Sequence, residues 1–192
     1  MISGLAFPLK QAGRRGRCIM YRTGEWVVYG STGVCQVMSV GLAEAGRGLE
    51  KDKEYYQLSP LLDSSVIYAP VDTKVFMRPA ISHQEAEELL EGAADLEEDI
   101  CYSRNLRLLT EHYKEALQTH QCEDLLRVIR AVYVKNAACV KSGKRPGQID
   151  QRYMKRAEEL LHSELSVALE IPYEEVPDYI ARVMTRTETS AG

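Results

Sequence analysis

The first β-hairpin is encoded by the segment GEWVVYGSTGV at residues 24–34. Its apolar residues alternate in direction, with Val27 and Tyr29 on one side of the chain and Trp26 on the other, which is the pattern of a β-strand. The two glycines that follow, at residues 30 and 33, allow a tight turn. Because Trp26 is the only tryptophan, we expect it to be a large buried side chain in a small sheet.

Further strand patterns follow this hairpin. Alternating, β-branched or aromatic segments occur at residues 34–40, 55–58, 66–69 and 74–77. About five strands within some sixty residues are typical of a small barrel or a Tudor-like sheet. A sheet of this size needs a neighbouring domain or a partner for its stability.

Downstream of residue 81 the hydrophobic period changes from two to between three and four, which indicates helices. Ser82 and Glu85 have the spacing of a capping box, so the first helix should start there. Further helices are predicted at residues 103–119, 123–139, 150–171 and 176–183. We expect Leu106 and Tyr133 on buried helix faces, and Asp150 as an N-cap.

These patterns predict an α+β protein of two domains. Residues 20–80 should form a small Tudor-like or SH3-like β-sheet domain, and residues 81–186 a compact all-α helical domain. We expect the polar residues 187–192 to fray. Residues 1–19 should be a disordered tail or an upstream extension that is not normally translated. Their apolar part precedes their basic cluster, the reverse of a secretory signal, so we expect a cytoplasmic protein.

Composition and motifs exclude several classes of function. No apolar run approaches the roughly 20 residues needed to cross a bilayer. The five cysteines are scattered without a C-x-x-C pair, which fits a reducing compartment. The four histidines lie far apart and outside any catalytic or zinc motif. We therefore expect no enzymatic activity, no metal and no cofactor.

Charge is strongly segregated, although the net charge is only −4. Residues 84–99 contain eight acidic residues and no basic one, whereas residues 104–156 contain twelve basic and five acidic residues, a balance of 12 − 5 = +7. Such a basic helical region fits contact with nucleic-acid phosphates. Surface salt bridges between helices would give the same composition, so spacing alone leaves both interpretations open.

Four segments of the sheet region form a recognisable set: residues 24–29, Gly33-Val34, EYY at 54–56 and VIYAPV at 66–71. In these segments the chain resembles the CarD/CdnL family of bacterial transcription regulators. The N-terminal Tudor-like domain of that family is shared with the transcription-repair coupling factor Mfd. The segments RNLR at 104–107, YKEAL at 113–117, VIRAVY at 128–133 and AEELLHSEL at 157–165 look like the C-terminal domain of clostridial-type members. The match covers about residues 21–184.

The resemblance implies that the sheet domain docks on the β subunit of RNA polymerase. The corresponding surface consists of Leu42, Ala43, Val66, Ile67 and Tyr68. Some members of the family have arginines where this chain has Ala43 and Tyr68. Docking here should therefore depend more on backbone strand pairing and apolar contacts.

The resemblance also implies that the helical domain contacts promoter DNA near the upstream edge of the melted bubble, at the −10 region. The basic residues that would contact the DNA are Arg104, Arg107, Lys114, Arg127, Arg130, Lys144, Arg145, Arg152, Lys155 and Arg156. Many members insert a tryptophan wedge into the minor groove at the start of this domain. This chain has Ile100 and Tyr102 there instead, and a smaller wedge should stabilise the open complex less.

The sequence is compatible with two functions from different classes. The first is a transcription regulator that binds RNA polymerase and promoter DNA and modulates open-complex stability. The alternative is a protein-interaction adaptor whose basic residues make only salt bridges. The sequence leaves open whether the protein is a monomer or a domain-swapped dimer.

Overall fold

The computed structural model describes residues 21–42, 49–50, 52–96, 100–103 and 105–190, with side chains for all of these except residues 94, 95 and 184–190. Ala43 and Arg104, both predicted site residues, lie outside the described residues. The same is true of the acidic residues 97–99 and of the predicted tail 1–19.

The N-terminal part of the chain is a five-stranded antiparallel sheet with the strand order β4-β3-β2-β1-β5. The strands are β1 (Trp26–Tyr29), β2 (Gly33–Leu42), β3 (Glu54–Pro60), β4 (Ile67–Pro70) and β5 (Met77–Pro79). The sequence placed the last strand at residues 74–77. It begins later because the N–H of Val75 donates to Thr73 Oγ1 at 3.2 Å and closes a turn there.

The predicted first hairpin is confirmed. Tyr29 of β1 pairs with Gly33 of β2, and Trp26 pairs with Gln36. The turn between them needs glycine, because Gly30 and Gly33 have φ angles of +45° and +96°, a region that other residues enter only with strain.

The sheet core differs from the prediction at Trp26. The fully buried side chains of this core include Val27, Val37, Leu58 and Tyr56, whereas Trp26 is only half-buried and lies outside the cluster. Successive residues of a strand point to opposite faces. Trp26 therefore faces away from Val27 and from the core beneath it, and Tyr56 is the large aromatic residue of the sheet interior.

The remainder of the chain is helical, as predicted. Its elements are α1 (His83–Glu91), a 3-10 turn (Gly92–Asp95), α2 (Leu106–Gln118), α3 (Cys122–Lys141), α4 (Gln148–Ala168), a second 3-10 turn (Tyr173–Glu175) and α5 (Val176–Ser190). The last helix continues to Ser190, into the segment 187–192 that was expected to fray. None of the described helices is long and apolar enough to cross a membrane.

The start of α1 confirms the predicted capping box. Ser82 Oγ accepts a hydrogen bond from the N–H of Glu85 at 3.3 Å, and the N–H of Ser82 donates to Glu85 Oε2 at 2.7 Å. This reciprocal pair satisfies two backbone donors that the first helical turn cannot.

Two predicted core residues of the helical domain are exposed instead. Leu106 is 64% exposed and Tyr133 is 68% exposed. In α2 the buried side chains are Leu109 and Tyr113, one turn apart, and the first turn projects beyond them. The fully buried residues of α3 end at Val132. Tyr133, the next residue, lies on the exposed side of the helix, whereas Lys135 is again largely covered.

The start of α4 also differs from the prediction. The N-cap is Gly147, and Asp150 lies inside the first turn, where it is buried. Its carboxylate bonds to Tyr113 of α2 and Lys135 of α3. Asp150 therefore joins α4 to two neighbouring helices and does not cap α4.

Candidate functional site

The described polymerase-docking candidates lie at β4 and at the end of β2, with β3 between these strands. β4 is an edge strand that pairs only with β3 among the described strands. Ile67 and Tyr68 belong to it and are half-buried, whereas Val66, just before it, is 48% exposed. The described outer side of β4 is therefore open to an added strand.

Leu42 is separated from the β4 residues along the sheet. It ends β2 and is 65% exposed. Leu42 pairs with Glu54 of β3, whereas Ile67 pairs with Leu58, four residues further along that strand. At roughly 3.3 Å per residue this is a separation of about 13 Å along the strand direction. The described predicted residues are thus spread over β4 and the end of β2 and do not form one compact patch.

Three of the predicted DNA-contacting residues are used within the protein. Arg127 NH1 lies 2.6 Å from the carboxylate of Asp124 on the same helix. Arg130 donates to the carbonyl of Ala93. Arg156 donates to the carbonyl of Ser31 in the sheet domain and lies 3.0 Å from the carboxylate of Glu159. Their cationic groups are therefore engaged in holding the structure together.

The other predicted cations that the structure describes are exposed. Arg107 is exposed at the start of α2 and pairs with Glu111 at 3.0 Å across one helical turn. Lys114 is exposed on the same helix. Exposed ion pairs within a helix contribute little free energy, so Arg107 can leave Glu111 for a phosphate at small cost.

The largest exposed group of cations is at the connection between α3 and α4. We call this group the basic hairpin; it consists of Lys141, Lys144, Arg145, Arg152 and Lys155, all of which are exposed. None of them makes an ion pair with a described residue. The only acidic residue between positions 141 and 155 is Asp150, whose charge is taken up by Lys135 in the interior. The basic hairpin therefore presents net positive charge to solvent.

Tyr102 lies close to this region and is 71% exposed, whereas Ile100, the other candidate wedge, is half-buried. Lys135 Nζ lies 6.0 Å from the centre of the Tyr102 ring and donates to the carbonyl of Cys101 at 3.1 Å. The segment that carries Tyr102 is thus attached to α3 by Lys135, while the ring itself remains in solvent.

Lys135 belongs to a buried polar cluster with Asp150 and Tyr113. The Tyr113 hydroxyl donates to Asp150 Oδ1 at 2.6 Å, and Lys135 Nζ lies 2.5 Å from the same oxygen. Burial, followed by the hydrogen bond to Asp150, raises the pKa of Tyr113 far above its usual value. The phenol therefore stays protonated and keeps donating to the carboxylate.

Sequence reasoning missed one set of functional contacts, which joins the two domains. One stripe of α4, made of Arg156, Leu160 and Glu164 at intervals of four residues, faces the sheet domain. Glu164 forms a two-pronged ion pair with Arg78 of β5. The available signal was Glu164 itself, a carboxylate at helical spacing from the apolar Leu161 and Ala168, since a carboxylate requires a partner when buried.

The described residues contain no group of three or more His, Cys, Asp or Glu side chains that could hold a metal ion. The buried Cys122 is instead a hydrogen-bond donor, with its Sγ 3.2 Å from Glu164 Oε2. Burial, and then the neighbouring Glu164, raise the pKa of this thiol far above its usual value, so it keeps its proton.

Comparison with known proteins identifies the sheet domain. None of the curated proteins matches the chain. Residues 21–81, however, match the family described as the CarD-like/TRCF RID domain. These residues include all five strands and end at the first residue of the helical part. The N-terminal domain of this chain is therefore similar to the CarD-like/TRCF RID family of RNA polymerase-interacting domains, and this match supports RNA polymerase as a partner.

Proposed function

We propose that this protein is a transcription regulator that binds the β subunit of RNA polymerase through its sheet domain and contacts promoter DNA through its helical domain. The observation that carries the proposal is the basic hairpin. Its five exposed cations have no described ion-pair partner, and they belong to a chain whose other domain matches a family of RNA polymerase-interacting domains.

The proposed DNA contact is mainly electrostatic. Arginine and lysine side chains that meet phosphates release condensed counterions, which favours binding without reading the base sequence. Lys144 and Arg145 at the tip of the hairpin, with Arg152 and Lys155 on the first turns of α4, are the residues best placed for this contact. Promoter choice then comes from RNA polymerase and not from this protein.

The proposed effect on transcription is a shift of the equilibrium between closed and open complexes. Tyr102 is exposed enough to stack on an unpaired base or to enter a widened minor groove at the upstream edge of the bubble. A protein that binds the open complex more tightly than the closed one shifts the equilibrium toward the open complex by the ratio of the two affinities, and slower bubble collapse contributes to that shift. No catalytic step is involved, and the process takes place in the cytoplasm, on the nucleoid.

The proposed contact with the β subunit uses the open edge at β4. An extended segment of the partner can pair with the outer side of this edge strand. Val66 and Tyr68, two residues apart, would then supply apolar contact on one face beside the added strand. Leu42, about 13 Å away along the sheet, would mark the other end of the docking surface.

One observation favours a second function, that of a protein-interaction adaptor. Tyr133 and Val140 are both 68% exposed and lie two turns apart on α3, so they share one face of the helix. An exposed apolar face of this kind fits a protein partner better than it fits phosphates.

The two functions are separated by footprinting of promoter DNA in the RNA polymerase complex, with and without the protein. The regulator predicts added protection at the upstream edge of the bubble and a longer open-complex lifetime. Co-purification with the polymerase without any change in DNA protection would favour the adaptor. Failure to co-purify would refute the polymerase contact itself.

A further inference from the structure

The carboxylate of Glu164 lies where the two domains meet and is bonded by three separate parts of the chain. Its residue is 2% exposed. Oε1 accepts from Arg78 NH1 of β5 and, at 3.0 Å, from the N–H of Ile81, the residue that begins the helical part. Oε2 accepts from Arg78 NH2 at 2.9 Å and from the Cys122 thiol at 3.2 Å. One side chain of α4 therefore joins the sheet, the interdomain link and the start of α3.

The guanidinium of Arg78 is equally well bonded. Its Nε and NH2 donate to the carbonyl of His120 at 3.0 and 2.6 Å, and NH1 donates to the carbonyl of Pro79 at 3.0 Å. NH1 and NH2 therefore each donate to a backbone carbonyl as well as to Glu164, and Nε donates to a backbone carbonyl alone. A planar fork whose partners come from different elements fits in only one orientation.

This ion pair is not a strong source of folding stability. Taking both charges out of water costs about as much free energy as their attraction returns, and apolar residues of similar volume often replace such a pair without loss. What apolar residues cannot supply is direction, because their contacts tolerate sliding and rotation. The pair is therefore better suited to fixing geometry than to holding the domains together.

The other side-chain contacts between the domains lie at both ends of the α4 stripe. Arg156 donates to the carbonyl of Ser31, and Leu160 packs against Gly33, where an added Cβ would lie 2.8 Å from Leu160 Cδ2. Both lie at the turn between β1 and β2, toward one end of the α4 stripe. Arg78 and Glu164 hold the other end, where Phe76 also stacks on His120 with ring centres 4.4 Å apart.

We propose that Arg78 and Glu164 are positioning residues that fix the angle between the RNA polymerase-interacting sheet and the helical domain. With this angle fixed, docking the sheet on polymerase also sets the position of the basic hairpin. The second statement rests on the proposed function, whereas the first concerns this protein alone.

The first statement is tested by ¹⁵N relaxation of the full-length protein, which gives a rotational correlation time for each domain. The informative variant is the double substitution Arg78→Met/Glu164→Leu, which replaces the pair by apolar residues of similar size. Arg127→Met is the matched control, since it removes an arginine that pairs only within α3. The unmodified protein and the control should each show one common correlation time, and the double variant should show two.

A common correlation time in the double variant overturns the proposal, and so do two correlation times in the unmodified protein. If the double variant does not fold, Glu164→Gln replaces it, because this variant keeps an acceptor oxygen for Ile81 and loses one Arg78 bond. It must then show the same divergence of correlation times, and a common value would overturn the proposal.

The second statement is tested separately by footprinting in the polymerase complex. The double variant should still bind polymerase, but the added protection at the upstream bubble edge should become weaker and spread over more positions. Unchanged protection would overturn the second statement. The first statement, on the angle between the domains, would still be decided by the relaxation data. Absence of protection with the unmodified protein would refute the proposed function, again without affecting the relaxation test.

Discussion

Lys135 of α3 and Asp150 of α4 form an ion pair in the interior of the helical domain, with side chains only 12% and 11% exposed. The pair joins the two helices close to the basic hairpin that connects them. Through the carbonyl of Cys101 it also holds the segment that carries Tyr102. The basic hairpin and Tyr102, the two features proposed to contact DNA, are thus both positioned by this ion pair.

Lys135→Met should destabilise the protein strongly. The substitution keeps the apolar stem but leaves the Asp150 carboxylate buried without its counter-charge, which costs about 3 kcal/mol or more of unfolding free energy. Urea unfolding measures the difference. Lys141→Met, an exposed lysine of the same helix, is the control and should change the midpoint little. Equal midpoints for the two variants would contradict the importance of the buried pair.

Lys144→Ala/Arg145→Ala should weaken binding to fork-junction DNA and reduce its salt dependence. Each phosphate contact contributes a slope of about 0.9 in a plot of log affinity against log salt for duplex DNA, so the double variant should lower the slope by about 2. Arg127→Ala, whose charge is already paired with Asp124, should leave the slope unchanged. If the Arg127 variant lowers the slope as much as the double variant, the basic hairpin is not the contact surface.

Tyr102→Ala should shorten the open-complex lifetime, and Tyr102→Trp should lengthen it. Stacking of a base on an aromatic side chain is worth at least about 1 kcal/mol, which corresponds to roughly fivefold in lifetime. Tyr133→Ala is the matched control, because Tyr133 is almost equally exposed, at 68% against 71%, but lies elsewhere on the domain. A larger effect at Tyr133 would favour the adaptor.

Gly33→Ala should destabilise the junction between the β1–β2 hairpin and α4. Alanine would be strained at a φ of +96°, and its Cβ would lie 2.8 Å from Leu160 Cδ2. We expect a loss of about 1 to 3 kcal/mol in unfolding free energy. Gly41→Ala is the control in the same strand, since no atom lies within 4 Å of the added Cβ. If Gly33→Ala and Gly41→Ala had equal thermal unfolding midpoints, the turn would tolerate the added Cβ and the prediction would be wrong.

Stability should decrease on mild acidification because of His162. Burial lowers the pKa of His162 below its ordinary value of 6.5 in the folded protein. Acidification below about pH 6.5 therefore protonates the unfolded chain first and draws the equilibrium toward it. The unfolding free energy should be smaller at about pH 5.5 than at about pH 7.5. His162→Asn should reduce that difference, and an unchanged difference in this variant would contradict the role of His162.

The elements that the sequence predicted correctly are those whose signals are local. The alternation from Trp26 to Tyr29 and the glycines after it specify the hairpin without help from the rest of the chain. In the same way Ser82 and Glu85 form their capping box within four consecutive residues.

The features that the sequence did not reveal depend on contacts that are distant in sequence. Arg156, which was predicted to contact DNA, donates to the carbonyl of Ser31, which is 125 residues away. Asp150 looked like an N-cap, but Lys135 and Tyr113 draw it inward. Tyr133 fits an apolar helical period and was predicted to be buried, but it follows the last fully buried residue of α3 and is exposed. Helical spacing alone reports none of these contacts.

The α4 stripe also limits how this protein can be divided or recombined. A fragment that begins at Ile81 would expose Leu160 to water and leave the carboxylate of Glu164 buried without Arg78. The helical domain should therefore be less soluble and less stable alone than in the whole chain. Grafted onto another sheet domain, it would need an arginine where Arg78 stands and a glycine where Gly33 stands. Exchange of either domain between proteins of this architecture thus requires matched changes on both sides of the junction.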